Sequence, residues 1–580
     1  MAIISICENP EAFKKLDAIY SKHYVSSYSH KTSFGFVETF RKLNIETTNH
    51  FVFDSGDFAL GVGSFLMDGL YLDKGALCRV LEDFDFSTFS RSRLVGNFCI
   101  AVYKSGTLTI FVDENSEYDL YYCLEENKVA ITNSYYHLAL ALEKSTIDKV
   151  AVAQKLFYGN ILGTKSPILG IQKLQGNQCI QWRSDLGWRV LPYKRNIPNT
   201  SEDVISYTFN RFKGISKLFD SSSVFMTGGQ DSRLMLAFLL AQGFKPELIY
   251  GESDSPSLVT RSNDKYIVES ISEKLDLPIS IKKWSENKSN YALNLEKYGE
   301  YILDYGYNAS YISTFEQCDS ELIESGYNAE LFRNLDALNG FEDKRMNLQE
   351  FISDAYLVRK LKNLLSEWTE LQVYMENSLL DLCKEFKLDE SNLTYQDALI
   401  MLACTYYPSS VNFFNLANRF AYSFDFLGDW GVSQQLARIE PNRKSKSKLQ
   451  ILAIKSFYSP LLDYAFFSHL REQVLSTDRT YLEEKHKILV KIKRTIQKTI
   501  PKNRIYRLLR IAYRKLTGNS KEATEVTSEA SLVKEVYAEL HDSIVLFGVD
   551  PRDMQKEYSL LTEANLFKAY DRFLRDIANK

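Results

Sequence analysis

Long apolar runs are missing from this sequence. Its longest stretches, such as residues 234–240, fall far below the ~18 residues that cross a bilayer, so no transmembrane helix is expected. The opening residues, MAIISICENPEAF, carry no basic region and only a short apolar run, which predicts a cytoplasmic chain without a secretory leader. Cysteine is sparse and unpatterned: Cys7, Cys78, Cys99, Cys123, Cys179, Cys318, Cys383 and Cys404 form no CxxC pair and stand beside no paired histidines. That excludes a disulfide framework and a zinc site of ordinary spacing. Glycine (26) and proline (12) are too few among 580 residues for a fibrous or wholly disordered chain. Charge of one sign is also lacking, since 70 basic against 74 acidic residues leave −4, and no whole-protein field attracts nucleic acid or a membrane.

What is present is an ordinary soluble composition, 45% hydrophobic and 25% charged, in a chain long enough for two to four domains. Up to residue 190 the pattern is strands and turns. Runs of β-branched and aromatic residues at 3–6, 51–53, 97–103, 107–112, 120–123 and 129–132 are each bounded by turn formers, with a helix at 146–157. From residue 203 the rhythm becomes helix (203–219), strand (223–226), helix (232–242), strand (247–250), helix (264–275) and strand (279–282). That alternation predicts a parallel α/β sheet. After residue 347 the pattern is helical. Residues 517–531 (TGNSKEATEVTSEAS) have almost nothing to bury and read as a linker.

The chemistry concentrates at the end of the first parallel strand. Met226-Thr227-Gly228-Gly229-Gln230-Asp231-Ser232 joins an apolar strand to a helix whose apolar positions are Leu234, Met235, Phe238 and Leu239. Paired glycines let amide N–H groups face an anion, and the helix N-terminus adds partial positive charge. A Gly-Gly turn can also be a bare connection, but threonine, aspartate and serine at fixed offsets favour a phosphate cradle. The loop has no lysine, so it is neither a Walker A loop nor GxGxxG.

This loop resembles the Ser-Gly-Gly-x-Asp-Ser pyrophosphate loop of the asparagine synthetase family, with Thr227 in place of serine. Further stretches are similar in order and spacing. Val95-Gly96-Asn97-Phe98-Cys99-Ile100, Phe111-Val112-Asp113, Leu120-Tyr121-Tyr122 and Gly170-Ile171-Gln172-Lys173-Leu174-Gln175-Gly176 resemble the family's amidotransferase half. Tyr250-Gly251, Ser262-Asn263-Asp264 and Pro460-Leu461-Leu462-Asp463 resemble its synthetase half. The resemblance implies an α/β chain of two principal parts. Residues 1–190 would form an Ntn-hydrolase-like layered amidotransferase domain, and residues 200–516 a PP-loop (adenine nucleotide α-hydrolase-like) ligase domain with large helical additions. A linker at 517–531 and a helical segment at 532–580 would follow. ATP and Mg2+ are the implied cofactors. Met226 to Ser232 with Tyr250, Gly251 and Gly326 would bind nucleotide and pyrophosphate, and Asp231 and Glu330 would hold the metal.

Three departures qualify that picture. Glutamine-hydrolysing members expose an N-terminal cysteine, whereas this sequence reads Met1-Ala2-Ile3. Alanine offers no nucleophile, and Cys7 would become terminal only after six residues were removed. Next, Ser325-Gly326-Tyr327-Asn328-Ala329-Glu330-Leu331-Phe332, followed by Arg333, is one residue shorter than Ser-Gly-Glu-Gly-Ser-Asp-Glu-Leu-Phe and puts Tyr327 in place of a catalytic glutamate. Related β-lactam synthetases use a tyrosine, oriented by a glutamate, as base for an intramolecular amine. Tyr327 and Glu330 are therefore the catalytic candidates, with Glu350 or Glu367 as helper carboxylates, although Tyr327 is also one of 36 tyrosines. Finally, residues 485–515 hold twelve lysines or arginines and no acid, in two amphipathic helical patterns split by Pro501. Lys487 or Lys515 could reach phosphate from there, and solvated basic faces explain the same pattern.

The expected function is an ATP-dependent amide ligase of specialised biosynthesis, closest in kind to β-lactam synthetases and lasso-peptide cyclases and without a glutaminase of its own. Its partners would be a small-molecule or peptide carboxylate, an amine donor, and a second copy or a biosynthetic partner protein, with no nucleic acid. Glutamine- or ammonia-dependent asparagine synthesis and a non-catalytic nucleotide- or partner-binding relative are the alternatives.

Overall fold

Strand β1 (Ile3–Cys7) is buried along its whole length, so a layer covers each of its faces. Ile4 and Ile6 join the core between two sheets, while the alternate residues turn to the opposite face. The structure is a computed structural model that describes residues 3–464 except 127, 145, 159, 197–201, 254–257, 285–290, 304–307, 336–337, 339–340, 342–343, 353–368 and 406–411. The chain divides into one compact unit of residues 1–464 and 573–580 and another of residues 465–572. The expected linker, the basic stretch with Lys487 and Lys515, and the C-terminal segment all lie outside the described residues.

The strands β2 (Ser26–Thr32), β3 (Gly35–Phe40), β4 (His50–Val52), β5 (Phe58–Met67), β6 (Tyr71–Leu72), β7 (Leu94–Lys104) and β8 (Thr107–Val112) follow β1. After them come β9 (Tyr121–Cys123), β10 (Ala130–Thr132), β11 (Gln172–Lys173), β12 (Gln178–Arg183) and β13 (Gly187–Pro192). One antiparallel sheet has the order β11-β9-β10-β1-β3-β2, and the other β13-β12-β8-β7-β5-β4 with β6 attached to β5. Helix α1 (Pro10–Tyr20) starts where the Asn9 side chain caps the Glu11 and Ala12 amides and Pro10 presets the first turn; it packs on β1. Helix α2 (Asp73–Asp83) covers β5, and α3 (Tyr135–Leu142) packs beside α1. Helices therefore flank two stacked sheets. All ten residues of β5 are buried, as expected of a strand with a sheet on one face and a helix on the other.

Helix α4 (Lys149–Tyr158) lies in the chain between β10 and β11. The expected helix at 203–219 is shorter: α5 (Val204–Arg211) is capped by Asp203, and Gly214, at φ 88°, breaks the chain before a single turn at Ile215–Leu218. Four parallel strands come next, β14 (Ser222–Phe225), β15 (Glu247–Ser253), β16 (Ile279–Trp284) and β17 (Leu322–Glu324), in the order β16-β15-β14-β17. Helices α6 (Gln230–Ala241) and α7 (Leu258–Leu275) connect the first three. The protein is thus mixed α/β, with antiparallel sheets and one parallel sheet. Among the described residues no helix is long and apolar enough to cross a membrane.

Candidate active site

The strand order of the parallel sheet marks a candidate site. From β14 the chain steps outward to β15 and β16, then returns to put β17 on the other side of β14, so the order reverses between β14 and β17. Ligands of open parallel sheets bind beyond the carboxyl ends of the strands at such a reversal. Met226–Gly229 leave β14 there, and Ser325–Glu330 leave β17 there. The two segments touch: a Cβ on Gly326 would stand 2.5 Å from the Ser232 nitrogen, which only glycine allows. Met226 extends the ladder by donating its N–H to Ile249, next to the buried Tyr250, and Gly251 pairs with Lys282 at the same end of the sheet.

The loop holds its own shape. Thr227 N–H donates to Ser232 Oγ at 3.1 Å, the Ser232 hydroxyl donates to the Thr227 carbonyl, and Gly229 N–H donates to Thr227 Oγ1 at 3.2 Å. Gly228 N–H donates to Asp264 Oδ1 at 3.0 Å. Burial raises the Asp264 carboxyl and this hydrogen bond partly offsets it. Asp264 lies inside α7 and not at its start, because that helix begins at Leu258. No side chain caps the start of α6 at Gly229, and a Cβ on Gly229 would meet only Thr227 Oγ1. These features fit a pyrophosphate.

Asp231 is held from a direction the sequence did not indicate. Gln450, in the helix Lys448–Tyr458, donates Nε2 to Asp231 Oδ1 at 2.6 Å and to the Ala329 carbonyl at 3.4 Å. That helix packs across α6. Arg233, buried in α6, donates to the carbonyls of Leu461 (3.3 Å), Tyr464 (3.0 Å) and Gly228 (3.4 Å), which seats the Pro460–Asp463 segment against the loop.

On the β17 side, Glu324 is fully buried, accepts the Phe424 N–H at 2.9 Å, and burial pushes its carboxyl well up. Asn328 adopts the left-handed turn (φ 62°) that leads into the short helix Ala329–Phe332 carrying Glu330. Tyr327 is 38% exposed, with its ring 5.3 Å from Phe413 and 6.3 Å from Phe414, and its hydroxyl is hydrogen-bonded to that of Tyr311. The expected helper Glu350 is elsewhere: it closes a capping box with Asn347, an arrangement the Asn-x-x-Glu spacing signals in the sequence. Glu367 lies outside the described residues.

Cys7 ends β1 inside the sheet, where burial pushes its thiol up to about 12. Exposing it as a terminus would delete Ile3–Ile6, which pair with both β3 and β10.

No family model matches the chain and no curated protein matches it. Among the solved structures similar to it are two enzymes. One is glutamine phosphoribosylpyrophosphate amidotransferase from B. subtilis complexed with ADP and GMP, with 9% identity over 50% of this chain and 68% of that chain at a TM-score of 0.23. The other is an allosteric regulatory enzyme of purine biosynthesis, with 7% identity over 49% of this chain and 65% of that chain, also at 0.23. Likeness at that level carries no argument about the site.

Proposed function

We propose that the protein is an asparagine synthetase-like, ATP-dependent amide ligase that forms AMP and pyrophosphate. The observation that carries the reading is the meeting of Thr227–Ser232 with Ser325–Glu330 at the reversal of the parallel sheet. A substrate carboxylate oxygen attacks the α-phosphorus of ATP and pyrophosphate leaves. An amine then attacks the acyl carbon of the adenylate, AMP leaves, and the amine's proton passes to a base. The uncapped start of α6 and the loop glycines stabilise the departing pyrophosphate. Tyr250 and Gly251 border the nucleotide. Tyr327, exposed beside the loop and hydrogen-bonded to Tyr311, is the candidate base. Mg2+ enters as counter-ion of the triphosphate.

The antiparallel part, read as an Ntn-type amidotransferase domain, supplies no thiol for glutamine hydrolysis. Seven of the eight cysteines are buried, and Cys78, the other, has its thiol raised by partial burial and by Glu82. The amine is therefore ammonia, a second molecule, or a group within the substrate. The chain would act in specialised biosynthesis, in the cytoplasm. Exchange of labelled pyrophosphate into ATP in the presence of candidate carboxylic acids tests the reading. Absence of exchange with every acid would support the alternative of a nucleotide-binding relative without ligation.

A further inference from the structure

Asp231 and Glu330, the two carboxylates expected to hold a metal, are joined by a side chain. Arg333 Nε lies 3.8 Å from Asp231 Oδ1, and Arg333 Nη2 lies 3.4 Å from Glu330 Oε2. Asp231 Oδ1 also accepts from Gln450 at 2.6 Å, so a guanidinium and an amide already crowd that oxygen. Among the described residues no group of three or more His, Cys, Asp or Glu side chains is placed to hold a metal. Magnesium demands near-octahedral oxygen ligation at about 2.0–2.1 Å, and a fixed positive charge between its two carboxylates opposes its entry. A protein-held Mg2+ does not fit this pair of residues as they stand.

We propose that Arg333 is the resident cation of the site, joining Asp231 to Glu330 where a divalent ion would otherwise sit. A guanidinium has five N–H donors, so after pairing with two carboxylates it keeps donors for an oxyanion. The oxyanion would be the leaving pyrophosphate, a clause that rests on the ligase reading. The sequence places Arg333 one residue beyond the short helix that carries Glu330, so one turn positions both partners.

The test uses Mn2+ as probe and the full chain without nucleotide, with bound ion read by electron paramagnetic resonance. Arg333→Gln is expected to gain one Mn2+ site at least tenfold tighter than any in the wild type, and adding Asp231→Asn is expected to remove it. Arg333→Lys keeps the charge and is expected to titrate as the wild type, which guards against a fold defect in the glutamine variant. The proposal is overturned if the wild type already binds one Mn2+ that Asp231→Asn releases, or if wild type and Arg333→Gln take up Mn2+ equally. Missing ATP–pyrophosphate exchange in the wild type would overturn the ligase reading and leave the Mn2+ titration as it stands.

Discussion

Gly326 packs against the backbone of Ser232 so closely that any side chain on it would meet the Ser232 nitrogen at 2.5 Å. The contact locks the segment leaving β17 to the first turn of α6. Gly326→Ala should cost about 1–3 kcal/mol by overpacking and lower activity with it. Thermal unfolding checks this, and an unchanged midpoint would mean that the two segments are not in contact.

Replacing Tyr327 should separate the two proposed half-reactions. Tyr327→Phe keeps the ring packed on Phe413 and removes the hydroxyl shared with Tyr311. Amide formation is expected to fall by about a hundredfold or more while ATP–pyrophosphate exchange persists. Loss of both would place Tyr327 in the adenylation step.

A buried carboxyl pair joins the layered part to the parallel part. Glu117 and Asp425 are hydrogen-bonded to each other; burial pushes Asp425 up to about 7 and Glu117 well up. The folded pair keeps a proton that the unfolded chain releases near pH 4, so unfolding releases a proton between roughly pH 4 and 7. Stability from Asp425 accordingly declines as pH rises through that window, by up to about 1.4 kcal/mol per pH unit. Urea unfolding at pH 5 and pH 8 should show a smaller pH dependence in Asp425→Asn than in wild type. Equal slopes would contradict the shared proton.

Thiol labelling tests the reading of Cys7. Alkylation of the native protein at pH 8 should modify Cys78 and spare the seven buried cysteines, Cys7 included. Rapid native labelling of Cys7 would show that β1 opens.

The legible parts of the site were local. Paired glycines before an apolar helix, and strands bounded by turn formers, carry their own signal, so the loop at 227–232 and the runs at 107–112 and 129–132 could be read directly. Neighbours across the fold could not. Gln450 reaches Asp231 from a helix far along the chain, and nothing in the residues around Gln450 reports that contact. Arg333 directly follows Leu331-Phe332 in the sequence, yet its charge acquires meaning only once the turn at Asn328 brings it to both carboxylates. Helix α7 starts six residues before the helix that the pattern predicts, because Leu258 to Asn263 carry little apolar periodicity. Strand β2 escaped notice because most of its residues are exposed or half-buried and polar.

The central claim is that the loop at Thr227–Ser232 handles the pyrophosphate of ATP. Exchange of labelled pyrophosphate into ATP, across a panel of carboxylic acids, measures this most directly in wild type and Asp231→Ala. The account predicts exchange with at least one acid in the wild type and a loss of about a hundredfold or more in the variant. Exchange that Asp231→Ala leaves unchanged, or exchange that no acid supports, would contradict it.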